Sequence, residues 1–342
     1  MTSQTLSIEE TSEGSGIEQH SKALIWIWKG FNIRYQAAGS TGPALVLVHG
    51  FGASSDHWRK NIPELAKDHR VYAIDLIGFG RSDKPTPGDA FSAQQVPYTF
   101  ETWGQQVSDF LSDIVREPAF LAGNSIGCVV ALQAAVFSPE QVKGLMLLDC
   151  ALRQIHDQKL STQPPMRRLG RPLLKKVVAN KSVVHWLFNK LAKPNTVKKI
   201  LQTAYGNAEA VTDELVDLLI APAQDSGAPD VFWAFINNFT GPLPEDLLPQ
   251  VSCSVHFAWG TADPWEPIAL GRALAAFPAV KDFVELEGVG HCPQDEVPDQ
   301  VNSMIRDWVS QDFANQEQMS REQASQEKIS QEKASQERVA AS

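Results

Sequence analysis

Cysteine is scarce in this chain, and the four present, Cys128, Cys150, Cys253 and Cys292, stand far apart with no CxxC pair and no Cys/His spacing suited to zinc. A disulfide scaffold or a zinc-stapled module is therefore excluded as the basis of the fold, and a reducing compartment is indicated. Long apolar runs are also missing, since none reaches the roughly 18–20 residues of a membrane span. The first residues include Glu9, Glu10, Glu13 and Glu18, where a secretory signal would start basic and turn apolar. Organelle transit peptides are likewise poor in acidic residues, so this start does not resemble one. An excess of basic charge is absent as well. The formal net charge is −10, whereas nucleic acid as the main partner needs Lys and Arg clustered over the whole footprint.

What is present is an ordinary apolar fraction, 43% of 342 residues, enough for one large core or a core carrying a smaller insertion. Residues 1–22 are polar and rich in Ser, Thr and Glu, and read as a flexible arm. At the other end, Ala324-Ser325-Gln326-Glu327-Lys328 is nearly repeated twice more up to Arg338. A five-residue period matches neither 3.6 nor 3.5 residues per turn, so residues 313–342 read as a solvated tail without chemistry. Between these ends, short β-branched runs alternate with longer amphipathic stretches, which predicts a mostly parallel sheet with helices on both faces. The strand candidates are Leu24–Trp28, Phe31–Gln36, Ala44–Val48, Val71–Asp75, Ala119–Ala122, Gly144–Asp149, Val255–Trp259 and Phe283–Leu286. Several end in polar or glycine-rich corners, where an open α/β sheet collects its ligands. Residues 23–150 and 244–312 are thus expected to form the core. Over residues 151–243 the strand pattern lapses and apolar residues recur at helical spacing, predicting an inserted helical cap.

One corner carries chemistry. Gly123-Asn124-Ser125-Ile126-Gly127 is a G-x-S-x-G turn between a short apolar run and the helical stretch Ile126–Phe137, the strand-turn-helix context of a nucleophile elbow. A serine hydroxyl needs a positioned imidazole to take its proton. His291, in the flexible loop Gly288-Val289-Gly290-His291-Cys292-Pro293, is the best placed of eight histidines. The orienting acid is expected from the preceding strand corner as Asp263, with Asp149, at the end of its own strand, as the rival. The chain order Ser, acid, His is that of the α/β-hydrolase fold. The oxyanion donors are expected to be the backbone N–H groups of Ile126 and of Phe51, in the corner His49-Gly50-Phe51-Gly52. His49 reads as a brace for that corner, Asp75 and Arg81 as braces for the sheet edge, and Cys128 and Cys292 as small packing residues. His20, His69, His156, His185 and His256 read as surface or core residues, and Asp295 and Glu296 as caps of the final helix region. No metal site or cofactor is expected. The glycine-rich turn at 49–52 is not followed by Gly-Lys-Ser/Thr, so it is no phosphate cradle.

Longer stretches carry a family resemblance. Gly42–Gly52, Asp56-His57-Trp58-Arg59-Lys60, Tyr98–Gly104, Asn124-Ser125-Ile126-Gly127, Trp259-Gly260 with Asp263-Pro264-Trp265-Glu266-Pro267, and Gly290–Glu296 together resemble chlorophyll dephytylases and pheophytinases over about residues 25–311. The resemblance implies hydrolysis of the ester joining phytol to chlorophyll or pheophytin, without a cofactor. It also implies a cytoplasmic protein peripheral to the thylakoid in a cyanobacterial-type host, or a chloroplast protein in a eukaryote. It stops at both ends, because the acidic arm is unlike a chloroplast transit peptide and the repeat tail is foreign to the family. Two alternatives stay open: a carbon–carbon bond hydrolase of ring-cleavage products, which shares the Asn-Ser-x-Gly elbow, and a non-catalytic prenyl or pigment binder. A haloalkane dehalogenase or epoxide hydrolase would place Asp at position 125.

The cap is electrically distinct. From Gln158 to Ala208 there are eleven Lys or Arg and no Asp or Glu; with those removed from a chain at −10, the remainder stands near −21. Leu, Val, Trp and Phe interleave with these cations. Arg167, Arg168, Lys175, Lys176 and Trp186 are therefore the expected residues of a basic amphipathic cap, facing an anionic membrane surface or the substrate.

Overall fold

The computed structural model describes residues 6–7 and 21–314, and the repeat tail lies outside the described residues. All eight strands expected from the sequence form, with β1 (Leu6–Ser7) in addition. In chain order they are β2 (Lys22–Trp28), β3 (Phe31–Ala38), β4 (Ala44–Val48), β5 (Arg70–Ile74), β6 (Ala119–Asn124), β7 (Val142–Leu148), β8 (Ser254–Gly260) and β9 (Val280–Leu286). They make one nine-stranded sheet in the order β1-β2-β3-β5-β4-β6-β7-β8-β9. From β5 to β9 every pairing is parallel, and β1, β2 and β3 add an antiparallel edge. The rungs Leu6–Ile25 and Ser7–Leu24 fall inside the stretch expected as an arm.

The central strands are continuous apolar runs because both faces are covered. Val46, Val48, Leu145, Leu147, Phe257 and Trp259 enter one apolar layer, while their neighbours Leu45, Leu47, Met146, Leu148 and Ala258 enter the other. Helix α1 (Phe100–Phe110) and the almost wholly apolar α2 (Ile126–Phe137) cover the first face. The Thr99 hydroxyl caps α1 by accepting from Thr102 N–H at 3.2 Å. The final helix, over residues 298–314, lays Val301, Ile305, Trp308 and Val309 on the second face. Phe313 still packs against that layer and takes the Lys143 ammonium over its ring, so the helix runs past the expected start of the tail.

Between β7 and β8 the chain forms α3 (Pro165–Ala179), α4 (Lys181–Leu191), α5 (Pro194–Ala204), α6 (Asp213–Ile220) and α7 (Ala228–Ile236). They stand over the carboxyl ends of the parallel strands. A third apolar cluster among the described residues, which includes Leu201, Tyr205, Leu215, Val216 and Cys292, holds α5 and α6 together.

Candidate active site

The turn after β6 has a backbone that few residues adopt. Ser125 sits at φ 57° and ψ −119°, a left-handed conformation with a steric cost for any residue but glycine. The flanking glycines make it possible. A Cβ on Gly123 would lie 2.6 Å from the Gly127 carbonyl oxygen, and one on Gly127 would lie 2.4 Å from that of Val48. The strained turn lifts the serine hydroxyl above the sheet edge, at the start of α2.

The other two side chains meet it there. His291 Nε2 lies 2.9 Å from Ser125 Oγ, and His291 Nδ1 lies 2.7 Å from Asp263 Oδ2. All three residues are buried. Asp263 is fixed in turn by the N–H groups of Trp265 (2.8 Å) and Glu266 (3.1 Å), which donate to its Oδ1. The Trp265 ring stands edge-on to the His291 imidazole, 4.9 Å between centroids. A serine, an imidazole and a carboxylate in this sequence of contacts can pass the hydroxyl proton to Nε2 while the carboxylate holds Nδ1–H. Phe51 and Ile126, the expected oxyanion donors, are at the carboxyl ends of β4 and β6. Among the described residues neither backbone N–H donates to a partner, which leaves both available to an incoming oxyanion.

Asp149 is also brought here. It is wholly buried, its Oδ1 accepts from Gly260 N–H at 2.9 Å, and one ligand atom from each of Asp149, Asp263 and His291 lies within 4.8 Å of the others. Burial, then the Asp263 charge, push its carboxyl well above the ordinary carboxylate range. The histidine's hydrogen bond goes to Asp263.

The neighbouring braces follow from burial. His49 Nε2 accepts from Leu76 N–H (3.1 Å) while Nδ1 donates to the Gly50 carbonyl (2.7 Å), and burial keeps it neutral by lowering its pKa. Asp75 accepts from the N–H groups of Ser55 and Arg81 and pairs with Arg34. Cys128 and Cys292 are buried beside the site, and burial pushes the Cys292 thiol up, away from thiolate chemistry.

Asp295 and Glu296 do not act as helix caps. Asp295 is fully buried, accepts from Tyr205 O–H at 2.8 Å, and pairs with Arg59 (2.8 Å) and Lys60 (3.1 Å). Glu296 accepts from the N–H groups of Gly206 and Asn207 just after α5, and from that of Gly290 beside the histidine. Both carboxylates therefore fasten the end of α5 to the histidine loop, as does the 2.8 Å bond from His291 N–H to the Ala204 carbonyl. His57 completes this contact, its Nε2 donating to Tyr205 O–H at 3.1 Å. Burial lowers His57 to about 4, so it is neutral near pH 7. Sequence reasoning missed Tyr205 and His57, and their separation of 148 positions explains why.

A cavity of about 370 Å³ opens onto Ser125 and His291, within the size range of ligand pockets. Its walls are apolar and come largely from the helices between β7 and β8, through Phe188, Leu191, Ile200 and Phe232, with Phe51 and Phe79 from the core. Phe51 stacks on Phe235 at 4.0 Å between centroids. Its lining, among the described residues, has no arginine. The one lysine there, Lys84, is held by Asp225 at 2.6 Å and the Gly80 carbonyl at 2.6 Å.

The expected cap residues Arg167, Arg168, Lys175, Lys176 and Trp186 do not line this cavity. Arg167, Arg168, Lys176 and Trp186 face outward on α3 and α4. Lys175 is committed to Asp157 (2.7 Å) and lies over the Phe239 ring, so it is not a free surface cation.

The alpha/beta hydrolase family model matches residues 45–304. The chain belongs to that family. Among curated proteins it is similar to the chloroplastic pheophytinase of Arabidopsis thaliana, 27% identical over 314 residues, covering 82% of this chain and 65% of that protein, just under two thirds of its length. It is also similar to the 2-hydroxy-6-oxo-6-(2'-aminophenyl)hexa-2,4-dienoic acid hydrolase of Metapseudomonas resinovorans, 31% identical over 156 residues, covering 44% of this chain and 49% of that one. Among solved structures, a serine hydrolase involved in carbazole degradation superposes with a TM-score of 0.67 at 19% identity, over 85% of this chain and 99% of its own. That structure supports the fold alone.

Proposed function

We propose that this alpha/beta hydrolase is a serine carboxylic-ester hydrolase of esters with a long apolar arm, the phytyl ester of chlorophyll or pheophytin being the candidate substrate. The observation that carries the reading is the Ser125–His291–Asp263 contact chain facing an apolar cavity with no unpaired lysine and no arginine in its described lining. Ser125 Oγ attacks the ester carbonyl as His291 takes its proton, and Asp263 stabilises the imidazolium. The Phe51 and Ile126 N–H groups receive the oxyanion, and the imidazolium then protonates the departing alkoxide. Water, activated by the same imidazole, hydrolyses the acyl-enzyme. No step calls for a metal or cofactor.

The ring-cleavage reading is supported by the relative from Metapseudomonas, but its named substrate is a carboxylic acid, and among the described residues the cavity lining offers no free guanidinium or ammonium to receive one. A purely binding role would not use so strained a serine in contact with a histidine.

The helices over residues 151–243 are, in this proposal, a cap that also meets the membrane. On α3, Met166, Leu169, Leu173 and Val177 recur at helical spacing and are 85, 83, 67 and 46% exposed; on α4, Trp186 is 63% exposed. An apolar stripe left in water beside Arg167, Arg168 and Lys176 suits an anionic bilayer such as the thylakoid surface, where a prenyl ester resides. Among the described residues no helix is long and apolar enough to cross a membrane.

The test is incubation with purified chlorophyll a and pheophytin a in detergent, followed by chromatography for free phytol. Release from either supports the proposal; release from neither, alongside activity on simple esters, overturns the phytyl assignment.

A further inference from the structure

Asp149 has no task in the mechanism above, yet its placement is costly. It lies in the left-handed region at φ 46° in the first position after β7, and its carboxyl is fully buried. One oxygen accepts from Gly260 N–H, while the other, Oδ2, has no hydrogen-bond partner among the described residues. A buried oxygen without a partner is destabilising, so a structural role alone would favour an apolar residue here. What surrounds it is chemical: Asp263 and His291, each with an atom within 4.8 Å of its own carboxylate oxygen. Around it also stand the buried thiols Cys128 and Cys292 and its chain neighbour Cys150, none of which supplies positive charge.

We propose that Asp149 is a positioning residue that stays protonated behind Asp263, and that it supports His291 when Asp263 carries no charge. Two carboxylates this close, in a site without a second cation, do not both ionise. Asp263 holds the favoured place, because its Oδ1 receives two N–H groups and its Oδ2 meets Nδ1. Asp149 therefore keeps its proton, which leaves the buried set with one negative charge and one imidazole. Proton balance is simple. In the wild type the serine proton goes to His291 Nε2 and returns to the leaving alkoxide, while the Asp149 proton does not move. Without the Asp263 charge, Asp149 first loses its proton to solvent, and its carboxylate then faces the imidazolium formed during attack.

The inference rests on the serine-hydrolase reading and is tested with a short-chain p-nitrophenyl ester on the full chain. Asp263→Asn is expected to lose about 100-fold in kcat/KM, well short of the roughly 10,000-fold seen when a triad acid without a substitute becomes Asn. Asp149→Asn is expected to cost a few-fold in the wild-type background and about another 100-fold in the Asp263→Asn background, reaching that larger loss. Equal costs of Asp149→Asn in the two backgrounds would overturn the proposal.

The pH profile gives a second readout that a packing role would not move. One proton, from the imidazolium, must leave the wild-type site before attack, but two must leave in Asp263→Asn. The acid limb of log kcat/KM should therefore be steeper than slope one in that variant, and a slope of one would overturn the proposal even if the double variant failed to fold. Activity surviving in Ser125→Ala would instead refute the serine-hydrolase reading, so the two failures are distinguishable.

Discussion

The side-chain amide of Asn124 donates to the main-chain carbonyl of His291 at 3.0 Å, so the residue before Ser125 holds the loop that carries His291. The same amide reaches the Leu148 carbonyl at 3.3 Å, at the end of the neighbouring strand. Both bonds are buried, and Asn is the residue that offers two amide hydrogens in so small a volume. Asn124→Ala should strand the His291 carbonyl, since the Leu148 carbonyl still accepts from Ser125 N–H at 3.0 Å, destabilising the fold by about 1–3 kcal/mol. It should also let the histidine loop shift, lowering kcat about 100-fold with a smaller change in KM. Steady-state kinetics beside thermal unfolding separate the two effects; unchanged kcat in a folded variant would show that the loop is held by its bonds to Ala204 and Glu296 alone.

Glu266 gives a pH prediction with a definite sign. Burial pushes its carboxyl up to about 8, and its Oε2 has no hydrogen-bond partner among the described residues. Below pH about 4.5 the group is neutral folded and unfolded, and contributes nothing to the pH dependence. As pH rises from there through about 8, the unfolded chain ionises first and folding stability falls, by a few kcal/mol in all. Glu266→Gln should flatten this decline and raise the unfolding temperature at pH 8–9, while changing little at pH 4. Differential scanning calorimetry across that range checks it, and parallel curves for the two proteins would contradict it.

The cavity predicts chain-length preference. Ala192 lines it near Phe188 and Leu191, so Ala192→Trp should fill space that an apolar arm would take. Each buried methylene is worth roughly 0.8 kcal/mol. The variant is therefore expected to lose about tenfold or more in kcat/KM on p-nitrophenyl palmitate while keeping its rate on the acetate. Equal loss on both esters would mean that the arm lies elsewhere.

Flotation with vesicles tests the outward face of α3 and α4. Wild type should float with vesicles containing anionic lipid, less so at high salt, and not with purely zwitterionic ones. Leu169→Glu with Leu173→Glu should abolish flotation and leave acetate ester hydrolysis intact, since neither residue lines the cavity. Flotation unchanged in that variant, or a dimer in light scattering that it abolishes, would show that the stripe meets something other than lipid.

How much of this was legible in the sequence follows the range of the interactions. The strands were, because a parallel sheet covered on both faces needs continuous apolar runs, and Ala44–Val48 was read to the residue. The elbow was legible because its glycines and serine are neighbours in sequence. Asp295 and Glu296 look like caps in the sequence, since nothing near position 295 signals that Tyr205, Arg59 and Lys60 converge on Asp295. Lys175 looks like a surface cation in the sequence because its partner Asp157 lies eighteen residues earlier, just outside the basic stretch. The exposed side of α3 is half legible: the charges show, but whether Leu169 and Leu173 turn inward depends on where the helix rests. Asp149 and Asp263 were both recognised as candidate acids, and only three dimensions put both beside one histidine.

The most direct test of the central claim is the intact mass of enzyme quenched in acid during turnover of an ester, with peptide mapping of any adduct. An acyl group on the peptide carrying Ser125, absent in Ser125→Ala and accumulating when deacylation is slowed, is the predicted result. Turnover without an adduct on that serine, or undiminished in Ser125→Ala, would contradict it.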